Sequence, residues 1–372
     1  MNDKRNAFLT VGILFAVMIS FTVADFIKGD RVFSETENRV LASRPEFSKE
    51  ALLEGEYTEE YEEYVTDQFV GRNKWIGMKT RMDILLQKKD INGVYLGKDG
   101  YLIEKHEPED YTDQMVTAKL ASLNKLVKKW DADVMLVPTA DNILTDKLPR
   151  YATYFDQKAF LDCVRETIGE EHYVDVYDGL LEHKEEEIYY RTDHHWTSLG
   201  AYYGFLAWAE HKELFPYPYN ISNMATVSNN FRGTLHSRIN IGVAEDCIQY
   251  FPETELRPVE ITYDLAQKSD CLYEQGYLDT KNQYGFFLDD NHGFVEIQTE
   301  YKNGKTLFLI KDSYANCLIP LLTTHYETIY VVDLRYFNGK LFDFMETYEP
   351  EDGMDVLVLY NCIHFLEDFK YY

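Results

Sequence analysis

Hydrophobic and polar positions alternate in three distinct ways along this chain. Residues 6–24, "NAFLTVGILFAVMISFTVA", form an unbroken uncharged run of about the length that spans a bilayer. Next, "EGEYTEEYEEYVTDQFVGRNKWIGMKTRMDILLQ" reads as helical. After the turn at "GKDGYL", buried strands and amphipathic helices take turns, the pattern of a parallel sheet covered by helices. Helices are expected over 115–130, 155–169 and 198–211, and strands at "DVMLVP" and at "YVDVYDGL" from Tyr173. A further strand is expected at "KTLFLIKDS", then a helix at "ANCLIPLLTTH", a strand at "TIYVVDLR", a short helix at "KLFDFMETY" and a last strand at "DVLVLYN". Between them, 214–300 breaks into short alternating stretches such as "VEITYDL" and "FVEIQTEY", which reads as a β-rich insertion.

These patterns divide the chain into a membrane anchor or signal peptide (1–28), a membrane-proximal stem and helical lead (29–95), a first core segment (96–213), the β-rich insertion (214–300) and a second core segment (301–372). Lys4 and Arg5 precede the apolar run, so the positive-inside rule keeps the N-terminus in the cytoplasm and puts the remainder outside the membrane. A run this long favours an uncleaved anchor. The small residues before Asp25 leave cleavage and secretion as the alternative.

Charge narrows the partners. With 37 Lys plus Arg against 64 Asp plus Glu, the formal charge is -27, a field that repels a phosphate backbone and argues against nucleic acid. The 5 cysteines show no zinc-like spacing and read as single buried thiols, with a Cys247–Cys271 bridge left open. Walker A, G-x-G-x-x-G, H-E-x-x-H and G-x-S-x-G patterns are missing, so no cofactor is implied and no metal site is assigned.

In open α/β sheets, ligands bind beyond the carboxyl ends of the strands. Three polar positions fall there. Ser313 follows "LFLIKD" at a strand-to-helix turn, Asn361 ends "DVLVLYN", and Asp193 and His195 sit in "RTDHHWTS" just before a helix. A serine nucleophile needs a base, and the base needs an orienting carboxylate. Ser313, His195 and Asp193 supply those types, with helix-cap duty the bland alternative for Ser313. His194 competes with His195 as base, but neighbouring side chains of an extended segment point to opposite sides, so only one should face Ser313.

The stretch "YYRTDHHWTSLGAYYG" resembles the signature of the bacterial DHHW family. That family is similar in turn to the alginate O-acetyltransferases of the AlgX and AlgJ type, whose domain looks like a circularly permuted SGNH hydrolase. "IKDSYAN" resembles the nucleophile block, and "SETENRVL", "DQFVGRNKWI", "YLGKDGYLI" and "VVDLRYF" also look family-like. The resemblance implies an SGNH-like (flavodoxin-like) three-layer α/β/α parallel sheet, circularly permuted. It also implies Ser313, His195 and Asp193 as catalytic. Asn361, by its place at a strand end, and Arg335, in the neighbourhood of the missing second-block Gly, are candidate oxyanion or substrate residues, and Trp196 reads as packing the loop onto the core, with sugar stacking as the alternative. The sequence departs from the SGNH pattern at Lys311, where Gly usually precedes the Asp, and in lacking a second-block Gly after "TIYVVD".

The expected activity is O-acetyl transfer to hydroxyls of a cell-surface or exported polysaccharide by an extracytoplasmic, membrane-anchored enzyme. A membrane-bound O-acyltransferase is the partner that would supply the acetyl group. An SGNH-type carbohydrate acetyl esterase and a non-catalytic cell-surface scaffold of the same fold are the alternatives.

Overall fold

A computed structural model describes residues 2–34, 39–215, 219–242, 244–254, 257 and 259–371. They fall into two compact units, one made of 1–88 with 237–241 and the other of 89–236 with 242–372.

The first unit opens with helix α1 (Asn2–Lys28), in which Arg5–Asp25 is long and apolar enough to cross a membrane, with a mean hydropathy of 2.3. Helix α2 (Lys49–Glu54) starts where the Ser48 hydroxyl accepts from the Ala51 N–H, and ends at Gly55, whose φ of 90° is cheap only for glycine. Helices α3 (Glu56–Gln68) and α4 (Arg72–Leu85) follow, separated by a turn at Gly71. Gln68 ties the unit together: its amide donates to the carbonyls of Arg31 and Ala42 and accepts from the Arg31 N–H. Asp67 beside it accepts from the Ala42 N–H.

The second unit is built on a seven-stranded mixed sheet. Its strands are β1 (Asp133–Val137), β2 (Val259–Tyr263), β3 (Gln267–Ser269), β4 (Phe294–Thr299), β5 (Thr306–Lys311), β6 (Thr328–Asp333) and β7 (Asp355–Asn361), in the spatial order β3-β2-β4-β6-β5-β7-β1. Strands β6, β5, β7 and β1 run parallel, and β4, β2 and β3 continue the sheet antiparallel. The strands of 214–300 therefore extend the main sheet, except for a separate hairpin of Ala225–Phe231 with Asp246–Tyr250.

The parallel strands β1 and β5 are buried along their whole length and β7 along nearly all of it, as near-continuous Val, Ile and Leu runs require. Alternate residues feed two apolar clusters. Leu307, Leu309, Leu357 and Leu359 pack on one face with Phe205 and Trp208 of helix Ser198–His211. Phe308, Ile310, Val356 and Val358 pack on the other with Leu123 and Leu126 of helix α5 (Asp113–Trp130) and with helices Gln157–Ile168, Leu341–Tyr348 and Cys362–Asp368.

Two expected elements differ. The strand from Tyr173 is reduced to a single bridge with Val134, because the Asp175 carboxylate accepts from the Tyr177 N–H and the chain turns into helix Tyr177–Glu182. The helix over 315–325 is a short 3₁₀ turn, Ser313–Cys317, followed by Ile319–Leu322, with Pro320 in its first turn.

Candidate active site

Strand β5 delivers the nucleophile candidate. At Asp312 the backbone is extended and the carboxylate accepts from the Tyr314 N–H at 2.9 Å, capping the turn that begins with Ser313. The Ser313 hydroxyl lies 2.8 Å from His195 Nε2. On the other side of the ring, His195 Nδ1 meets Asp193 Oδ1 at 2.5 Å. All three residues are at most 5% exposed, although 118 positions separate the serine from the histidine.

The carboxylate is itself held. Asp193 Oδ1 also accepts from the His195 backbone N–H, and Oδ2 accepts from the N–H and hydroxyl of Thr234. Burial alone would raise the Asp193 pKa, but the neighbouring imidazoles and these donors hold it well below the usual carboxylate range. The approach is close enough to require glycine at 233, where a Cβ would come within 2.2 Å of the Asp193 side chain. The loop is anchored by Asp246, whose carboxylate accepts from the N–H groups of Arg191 and Thr192 and from the Thr192 hydroxyl. It is closed by the bridge between Tyr189 and Trp196.

An unforeseen residue, Tyr284, touches both ends of the pair. Its ring stacks on His195 with centroids 3.9 Å apart and planes 13° apart, and its hydroxyl donates to the Ser313 carbonyl at 3.0 Å. It comes from the 214–300 segment. No motif marks it, and only the three-dimensional return of that segment to the end of β5 reveals it.

The remaining sequence candidates are placed differently. Trp196 is fully buried, with its indole N–H donating to the Tyr314 carbonyl, so it packs the loop and presents no face to a sugar. Asn361 is spent as a cap: its Oδ1 accepts from the N–H groups of Ile363 and His364, and its Nδ2 donates to Asp312 Oδ2. Arg335 is bidentate on Asp333, within a buried group that also holds Lys311 Nζ, Asn291 and Asn316. Asn361 and Arg335 are thus each tied to a buried carboxylate, Asp312 and Asp333. The same cluster accounts for Lys311 before Asp312, since its ammonium is buried on Asn316 and Asp333. Cys247 and Cys271 are free thiols.

His194 departs from the extended-segment expectation. The loop bends, and its ring lies 3.9 Å from that of His195. His194 Nδ1 meets the Thr234 hydroxyl while Nε2 has no hydrogen-bond partner. Burial, followed by the proximity of His195, lowers its pKa to about 3 and keeps it neutral. Asp193, His194 and His195 bring ligand atoms within 4.8 Å of one another, a spacing that suits an ion only if His195 releases its present partners.

Beside this group opens a small cleft, lined by Glu104, His106, Asp141, His194, Asn361 and His364 among others. Two of its lining histidines, His364 and His106, are each paired with a carboxylate. His364 Nδ1 lies 2.9 Å from Asp312 Oδ2, and His106 Nδ1 lies 2.8 Å from Asp141 Oδ2. The sequence signal for Asp141 was its place just beyond the carboxyl end of β1, in "VPTADN".

The family model for the DHHW protein matches residues 97–332. The chain belongs to the DHHW family. A DHHW family protein from Eubacterium siraeum superposes with a TM-score of 0.60 at 24% identity, covering 74% of this chain and 93% of that one. Bacillus cereus PatB1, in a structure with a sulfonyl adduct, gives 0.59 at 18% identity, covering 75% and 100%. These matches show that the DHHW domain shares their mixed α/β fold. The O-acetyltransferase domain of Pseudomonas putida AlgJ matches at 0.45 and 14% identity over 75% of this chain and 94% of that one, a distance at which no functional statement rests on it. No curated protein matches the chain.

Proposed function

We propose that this DHHW domain is an SGNH-like acyl-enzyme catalyst, an O-acetyltransferase acting on hydroxyls of a cell-surface or exported polysaccharide. The observation that carries the reading is the continuous relay from Ser313 Oγ through His195 to Asp193, buried and doubly anchored. In this scheme Ser313 Oγ attacks the acyl carbonyl as its proton passes to His195 Nε2, and Asp193 stabilises the imidazolium. The tetrahedral intermediate, with the Ser313 backbone N–H as oxyanion donor, expels the donor's leaving group, which takes the proton from His195. A glycan hydroxyl then gives its proton to His195 and attacks the acyl-serine, restoring the hydroxyl of Ser313 and releasing the acetylated sugar.

The preference for a glycan hydroxyl over water comes from the sequence resemblance to alginate O-acetyltransferases, and water in its place makes an esterase. The apolar span of α1 supports a single-pass anchor with the catalytic domain outside the cytoplasm. A membrane-bound O-acyltransferase would supply the acetyl group.

The test is turnover of an activated acetyl ester by the full chain in detergent, with and without a soluble oligosaccharide, alongside covalent labelling by a serine-directed sulfonyl fluoride. The expected result is acetylated glycan, and label at Ser313 that disappears in Ser313→Ala and His195→Ala. Acetate release unaffected by the glycan selects the esterase. Turnover and labelling unchanged in Ser313→Ala overturn the serine mechanism.

A further inference from the structure

Helix α4 turns its sequence inside out. Its buried positions are Gly77, Thr80 and Asp83, while Trp75, Met78, Met82 and Leu85 are 43%, 48%, 52% and 73% exposed. Gly77 explains the buried side: a Cβ there would come within 3.1 Å of the Asn240 carbonyl, so the helix packs through its smallest residue. At about 100° per residue, the four exposed apolar side chains fall within an arc of about 80°. Lys79 borders that arc on one side and Lys74 and Arg81 border it on the other, while Arg72 is ion-paired with Asp67 at 3.6 Å.

Charge sharpens the contrast. Residues 72–88 hold five basic side chains (Arg72, Lys74, Lys79, Arg81 and Lys88) and one acidic one, Asp83, in a chain whose formal charge is -27. An apolar stripe of Trp, Met and Leu between two basic borders has the composition of a helix lying in a membrane interface, where the stripe enters the acyl boundary and the cations meet anionic headgroups. The first unit also supplies the depth. Phe21, inside the apolar span of α1 and close to its outer end, stacks on Phe69 at 5.6 Å and meets the ring of Trp75 at 5.9 Å. Trp75 therefore begins the stripe at the level where the span leaves the hydrocarbon, the depth that tryptophan favours.

We propose that α4 lies flat in the outer membrane–water interface, with Trp75, Met78, Met82 and Leu85 in lipid and its basic borders on anionic headgroups. This rests on the anchor part of the proposed function and not on its chemistry. In effect the anchor is a span plus an interfacial helix, which fixes the direction in which the chain leaves the membrane.

The test uses the full chain in vesicles of brominated phosphatidylcholine with phosphatidylglycerol. The other tryptophans lie in the second unit, so Trp75→Phe clears the first unit of tryptophan, and Met82→Trp or Glu63→Trp in that background reports from the stripe or from α3. The expected result is flotation of both variants, with emission at position 82 quenched several-fold more than at 63. Flotation with equal quenching at the two positions overturns the interfacial helix while leaving the anchor intact. Loss of flotation overturns the anchor and the proposal together. Cross-linking of two chains through position 82 without quenching assigns the stripe to a second copy and also overturns it.

Discussion

Two of the carboxylate–imidazole pairs around the cleft look alike and are wired differently. In one, Asp193 meets His195 Nδ1 at 2.5 Å, and in the other Asp312 meets His364 Nδ1 at 2.9 Å. Both carboxylates are buried, and both are held below their ordinary pKa despite burial. Beyond the imidazoles they diverge. His195 Nε2 rests on the Ser313 hydroxyl, whereas Asp312 spends Oδ1 on the Tyr314 N–H and shares Oδ2 among His364 and the main-chain and side-chain nitrogens of Asn361. A buried Asp–His pair is thus no sign of catalysis by itself. The contrast is that His195 Nε2 meets the Ser313 hydroxyl, while Asp312 caps the turn that carries Ser313.

The sharpest way to break this contrast is to remove each end of the first pair. Ser313→Ala and His195→Ala should each lower acyl transfer by several orders of magnitude, since members of such a relay fail as a unit. Asp193→Asn should cost roughly 10⁴-fold through the wrong tautomer. Single-turnover kinetics with a chromogenic acetyl ester measure all three. A Ser313→Ala chain that still forms an acyl-enzyme would end the distinction.

His364→Gln addresses the second pair. Because its ring meets Asp312 and not, among the described contacts, Ser313, its loss should reduce turnover by less than the roughly 10²-fold that proton transfer supplies. A fall as steep as that of His195→Ala would promote His364 to the proton relay. Tyr284→Phe should be milder still. It keeps the stack on His195 and removes one hydrogen bond to the Ser313 carbonyl, a loss of about 1 kcal/mol in chemical denaturation.

Much of this was legible in the sequence for a simple reason: β5, β7 and β1 are continuous apolar runs, and polar residues just past such runs are where an α/β sheet keeps its chemistry. Ser313 follows from that rule, and Asp193 and His195 from the DHHW string. Tyr284 does not, because its role depends on the return of a distant segment to the end of β5; His364 lies just past β7, but its pairing with Asp312 at the end of β5 is set by the packing of the two strands. The strand expected at Tyr173 failed because Asp175 caps a helix, a local hydrogen bond that outweighs an apolar alternation. The stripe on α4 was present as helical period, but which side faces outward is set by Gly77 against Asn240, a contact between residues far apart in the chain.

A third pair, Asp141 with His106, extends the contrast to stability. Burial of His106 works against its charge, but Asp141 at 2.8 Å, helped by Glu104, outweighs burial and pushes the imidazole up to about 10 from 6.5. A group whose pKa is raised on folding stabilises the fold fully below its unfolded pKa and loses that contribution as pH rises through the folded value. The chain should therefore become easier to denature between about pH 6.5 and about pH 10, and His106→Gln should flatten that slope while lowering stability most at the acidic end of the window. Urea midpoints of the two proteins at pH 6, 8 and 10 measure it. Parallel profiles would show that His106 is not held as a cation, leaving Asp141 to the Thr139, Asn142 and Gln157 donors that already meet its other oxygen.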